Sequence, residues 1–220
     1  MLAAMDTSTM RAAMLVVHVA SGTVAMLTSV AAMLLSKGPG AHARVGRAYS
    51  VAMLLVALSA VGLWALGSSF FLLLIALFAT QLVATGWRLA RIRDGNMHGL
   101  DVALTIASVT LALGMLGVGV ARVAIRGGTG PVVLVAFGAL SALFAASDVR
   151  RVRGASLRGV ERIRAHLRRM LAATIATFTA VLVVNGDRLH LPTIVAWLGP
   201  TVLLTPVIAL WSRRYRAGPS

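Results

Sequence analysis

The sequence predicts an all-α integral membrane protein. It reads as a bundle of about seven transmembrane helices, with the N-terminus outside and the C-terminus in the cytoplasm. Three observations predict this. Hydrophobic residues make up 59% of the 220 positions and charged residues only 12%, against about 25% charged in an ordinary soluble domain. Apolar runs follow one another closely, at lengths suited to crossing a bilayer core of about 30 Å as helices. Basic residues gather in alternate connecting segments.

The first run, Ala12–Leu35, is long enough to stay in the membrane. Asp6 and Arg11 roughly cancel ahead of it, so the start lacks the positive n-region of a cleaved signal peptide. The next two spans, Tyr49–Leu66 and Phe70–Trp87, are joined only by Gly67, Ser68 and Ser69, a tight hairpin. Val102–Val120 and Pro131–Ala146 follow, then one long loop, Ser147–Ala165, and then His166–Val184 and Thr193–Trp211. The sixth span stops at Asn185-Gly186, and the seventh contains Pro200 and Pro206, each lacking a backbone donor and so expected to bend it. The chain reads as a single transmembrane domain over 1–220, with no room for a separate globular domain.

Orientation follows from the positive-inside rule. With the N-terminus outside, only Arg11, Arg122, Arg126 and Arg188 of the 21 basic residues lie in outer segments. All the others fall in inner ones, and an even number of helices breaks the pattern. Trp64, Trp87, Trp197, Trp211, Tyr49 and Tyr215 lie near span ends, where amphipathic rings favour the headgroup level.

The net charge of +15 does not indicate nucleic acid, because the arginines sit between apolar runs and not on a soluble face. The partner it implies is the lipid bilayer, with anionic lipid a further candidate at the arginines from Arg150 to Arg169. No cysteine is present, which excludes disulfides and thiolate metal sites. The Ala-, Arg- and Gly-rich composition with one lysine, Lys37, suggests a GC-rich bacterial genome and hence a bacterial inner membrane.

Polar residues inside a membrane are costly and point to function. His18 lies about two turns into the first span and shares a helical face with Gly22, Ala25, Ser29 and Ala32, so it should face the bundle interior. His42, His98 and His166 each stand at the cytoplasmic start of an even-numbered helix. His42 shares a face with Gly46, Tyr49 and Met53; His98 with Asp101, Thr105 and Ser108; His166 with Met170, Ala173 and Thr177. If those faces turn inward, three imidazoles converge as candidate metal or haem ligands, with Asp101 able to orient one of the rings. The alternative is that each histidine simply packs or sits among headgroups. No short metal motif such as H-E-x-x-H supports a site. Gln81, with Thr85 and Arg88 on its face, should bond a neighbouring helix. His190, beside Asp187 and Arg188, reads as solvated, on the same side of the membrane as His18. Asp101 reads as the only acidic residue close to an apolar span, and no G-x-S-x-G motif suggests a hydrolase.

The segments His18-Val-Ala-Ser21-Gly22 and His42-Ala-Arg44-Val-Gly46-Arg47-Ala-Tyr49 resemble a family of bacterial multi-pass membrane proteins, a domain family of unknown function. That family has a helix-one histidine, a His-Arg-x-x-Gly-Arg-x-Tyr element and a late His-Arg element. Here Ala43 separates His42 from Arg44, and the late element is looser, as His166-Leu-Arg168-Arg169-Met170. The resemblance implies a multi-helix membrane fold and no established activity. A more distant similarity, to b-type haem membrane cytochromes, implies histidine-ligated haem, although only His18 is well inside the membrane.

Three functions stay open at this point. One is a redox protein binding haem, a metal or a quinone through His42, His98, His166 and His18, with Tyr49 and Asp101 beside them. The second is a transporter or channel for a small solute, its path lined by His18, Gln81 and the last helix. The third is a structural or sensory protein. The sequence does not specify the substrate or the oligomeric state.

Overall fold

The computed structural model describes residues 6–93 and 95–214, apart from the side chains of Arg126 and Arg214. Among the described residues the regular structure is all α: α1 (Thr7–Leu34), α2 (Ala41–Ala65), α3 (Phe70–Arg91), α4 (Gly99–Arg126), α5 (Thr129–Val152), α6 (Gly159–Asn185) and α7 (Thr193–Arg214). All seven are long and apolar enough to cross a membrane. The chain is therefore built as a multi-pass membrane protein. Large apolar side chains face outward throughout, among them Leu34, Ile125, Leu143 and Leu203. In a soluble protein that would be a liability; against lipid it is the expected surface.

Several helices run past the apolar spans that mark them in the sequence. α2 begins at Ala41 where the apolar run begins at Tyr49, and α6 begins at Gly159 where its run begins at His166. The reason is physical. A 28-residue helix such as α4 is about 42 Å long, more than the hydrocarbon core, so its ends stand in the headgroup zone. Arginine is a good helix former, and nothing in that zone ends a helix. The long loop expected over Ser147–Ala165 accordingly shrinks to 153–158. Tyr49 is corrected in the same way: it lies two turns inside α2, fully buried, and not at a span end. Tyr215 lies outside the described residues.

The hairpin between α2 and α3 is as expected. Gly67, at φ +88°, closes α2: its N–H donates to Trp64 O at 2.9 Å and the Ser68 N–H to Leu63 O at 2.9 Å, the paired bonds of a Schellman stop. Gly154, at φ +105°, ends α5 by the same pair of bonds, to Arg151 O and Arg150 O. Lys37 covers the end of α1, donating to Ala32 O, Met33 O and Leu35 O, where a cation also opposes the helix dipole.

The chain divides into two compact units, Met1–Thr80 and Gln81–Ser220, with the boundary inside α3. In unit 1, α1 packs on α2. Its buried residues are small or apolar: Ser21, Ala25 and Ser29 from α1, and Tyr49, Ala52, Met53, Val56 and Ala57 among those from α2. In unit 2, α4 packs on α5 and α6 on α7. The α4–α5 contact is backbone-close because glycines make it. A Cβ on Gly138 would stand 2.9 Å from Leu116 N, and one on Gly119 3.0 Å from Val135 N.

Candidate functional site

The charged interior of unit 2 is the feature that a membrane bundle least needs for packing. It starts from α5, whose buried residues are Leu134, Gly138, Ser141, Ala145, Asp148 and Arg151. Steps of three and four put them on one helical face. That face is small and apolar at one end and ionic at the other.

Asp148 is 1% exposed. Its Oδ1 accepts from Arg169 Nη2 of α6 at 2.6 Å and lies 3.5 Å from Arg151 Nη1, one turn along α5. Its Oδ2 has no partner, and neither has Nε of Arg151 or of Arg169. Arg169 is equally buried, and its guanidinium stands 5.5 Å from the Phe144 ring centre, close enough for a cation–π contact. One carboxylate thus serves two guanidiniums in a nearly dry site. Asp148 also corrects the expectation that Asp101 is the only acidic residue close to an apolar span.

Asp101 forms a second ion pair. Arg88 Nε and Nη2 of α3 each donate to it at 2.9 Å, in the two-pronged geometry that guanidinium and carboxylate favour. The His98 N–H donates to Asp101 Oδ2 at 3.0 Å, so Asp101 also caps the start of α4. Every oxygen of Asp101 is engaged, and the pair ties the end of α3 to the start of α4. A narrow cleft lined by Thr85, Arg88, Asp101, Leu104, Thr105, Asp148 and Arg151 joins the two ion-pair groups.

From this layer a polar track continues into the unit. Gln81 and Thr85 precede Arg88 on one face of α3, Thr105 and Ser108 follow Asp101 on α4, and Ser141 precedes Asp148 on α5; all are buried. Seven residues separate Gln81 from Arg88 and Ser141 from Asp148, about 10 Å along each helix. There Ser141 Oγ donates to Gln81 Oε1 at 3.2 Å. The expected bond of Gln81 to another helix is present, and its Nε2 is left without a partner.

His18, His42, His98 and His166 each meet a partner within their own unit. His166 Nδ1 lies 2.8 Å from Gly86 O, and His42 Nδ1 lies 3.0 Å from Ala32 O. A carbonyl only accepts, so each ring carries its proton on Nδ1. His18 Nδ1 lies 3.0 Å from Ser59 Oγ. Ser59 spends its own hydrogen on Leu55 O or Val56 O, so His18 too is the donor. His98 is exposed, its Nδ1 3.6 Å from Asp101 Oδ2. Within unit 1, His42 sits at the level of Ala32, fourteen residues or about 21 Å along α1 from His18; the two cannot ligate one metal or one haem. Among the described residues no three of His, Cys, Asp and Glu stand where one metal ion could be held. Tyr49 is in the core of unit 1 beside Met53 on α2. His190, at φ +51°, ends the turn after α6: its N–H donates to Asp187 O and the Leu191 N–H to Gly186 O. Its role there is a helix stop.

Arg162 supplies one more tie, donating from Nη1 to Leu89 O at 2.6 Å and Ala90 O at 3.0 Å, so that the start of α6 holds the last carbonyls of α3. With His166 on Gly86 O, the α6 entry is fastened to α3 at two levels.

Compared with protein-family models, with curated proteins and with solved structures, the chain matches none of them.

Proposed function

We propose that this protein moves a small polar solute or ion across the membrane, and that the ionic layer of unit 2 is where that solute is handled. The observation that carries the reading is Asp148, a buried carboxylate of α5 shared by guanidiniums of α5 and α6. Buried ion pairs are a poor source of stability, because desolvation offsets most of their attraction. In a membrane their usual places are solute paths and proton relays. The track from Arg88 to Gln81 and from Asp148 to Ser141 extends the polar lining about 10 Å further. The redox reading has less support, since His42 and His166 are each committed to a helix carbonyl and His18 to Ser59. The alternation of basic segments supports an orientation with the N-terminus outside and the ionic layer at the cytoplasmic side. Composition supports a bacterial inner membrane.

The test is flux in proteoliposomes of the full chain, with gradients of sodium chloride, protons and glycerol read by ion-sensitive dyes and by light scattering. At least one flux should exceed that of protein-free vesicles and fall by about tenfold or more in Asp148→Asn. No flux above the protein-free rate in any gradient contradicts the reading.

A further inference from the structure

The charges around Asp148 do not balance. Arg151 and Arg169 face one carboxylate, while the other carboxylate, Asp101, is already saturated by Arg88 and the His98 N–H. Arg151 is the residue left short. It is 6% exposed, its contact to Asp148 is long at 3.5 Å, and its Nε has no partner. It lines the cleft that also receives the Thr85 and Thr105 side chains. A desolvated cation without a full counter-charge is costly. Of the remedies available to it, an anion restores both the charge and the missing hydrogen bond.

We propose that the cleft beside Arg151 binds a small inorganic anion of the chloride class. The inference rests on the transport reading and names the class of its solute. Three features select the class. The cleft's two arginines and two carboxylates balance, and Arg169 on Asp148 leaves one positive charge in surplus, so a cation is disfavoured. The cleft is narrow, which disfavours an organic anion or a phosphate against a monatomic one. Thr85 and Thr105 spend their hydroxyl hydrogens on Gln81 O and Asp101 O, so the donors left for the ligand are guanidinium N–H groups, Arg151 Nε among them. Asp101 and Asp148 also line the cleft. Their negative charge keeps the anion from being held irreversibly, as conduction requires.

The experiment is thermal melting of the purified full chain in detergent, in sodium chloride against sodium gluconate at equal ionic strength. The expected result is a higher melting temperature in chloride that saturates with concentration. Arg151→Lys keeps the charge but loses Nε, and should weaken the chloride midpoint about tenfold. Arg168→Gln, an exposed arginine of α6 outside the cleft, should leave the midpoint unchanged. Equal melting in chloride and gluconate overturns the proposal and assigns the cleft to water. A chloride effect that Arg151→Lys leaves intact overturns it as well. Flux separates the two readings: a proton or glycerol flux sensitive to Asp148→Asn, with no chloride effect on melting, removes the anion and keeps transport.

Discussion

Units 1 and 2 bury polar groups in different ways. In unit 1 the polar interior is neutral and local. Ser21, Ser29 and Ser59 return their hydrogens to carbonyls of their own helices, and the one polar side-chain pair between α1 and α2, among the described residues, is His18 with Ser59. In unit 2 three guanidinium–carboxylate and guanidinium–carbonyl ties link α3, α4, α5 and α6, and several buried polar atoms have no partner. The same membrane solvent acts on both. Unit 1 resembles a scaffold solved for lipid, with its buried serine hydroxyls satisfied along their own helices. Unit 2 retains charge that packing alone would not retain, and the transport proposal rests on that difference.

The largest test of the contrast is Asp148→Ala. It leaves two guanidiniums buried without a carboxylate, and removal of one partner of a buried pair costs about 3–5 kcal/mol. The check is denaturation in mixed detergent micelles, where this variant should be the least stable. Asp101→Asn comes next. It loses the charge facing Arg88, whose side chain is 19% exposed, so water offsets part of the loss and about 1.5–3 kcal/mol is expected. Glycines sharpen the comparison by another route. Gly138→Ala places a methyl group against the backbone of Leu116 and should cost about 1–3 kcal/mol. Gly62→Ala in unit 1 meets only the flexible Met14 side chain and should be close to neutral. A small effect is also expected at Ser59→Ala, which removes the partner of His18; hydrogen bonds between membrane helices average about 0.6 kcal/mol. If Ser59→Ala proves as damaging as Asp148→Ala, the distinction between the units fails.

The membrane fold was legible because the bilayer imposes one rule on every span: about twenty apolar residues with their backbone bonded internally. Gln81 was legible too, since a lone amide in hydrocarbon has to find another helix. Asp148 escapes a hydropathy reading because the fifth apolar span ends at Ala146, where hydropathy falls. The signal was present in the spacing of Gly138, Ser141, Ala145, Asp148 and Arg151, a small and polar face that continues unbroken past Ala146. Hydropathy marks where lipid ends; helical periodicity marks where the helix ends, and the ionic layer lies between the two. The three even-helix histidines share inward faces at the positions that follow them, as their spacing suggested. Each ring nonetheless meets the nearest structural partner, for two of them a carbonyl and for His98 its own cap residue. Spacing along one helix carries no information on what the neighbouring helix offers.

The most direct measurement is the flux of Asp148→Asn against Ser59→Ala in the same vesicles, each normalised to folded protein. The account predicts that the asparagine variant loses about tenfold or more of the transported flux while Ser59→Ala keeps nearly all of it. Equal fluxes in the two variants would contradict it and return the ionic layer of unit 2 to a purely structural role.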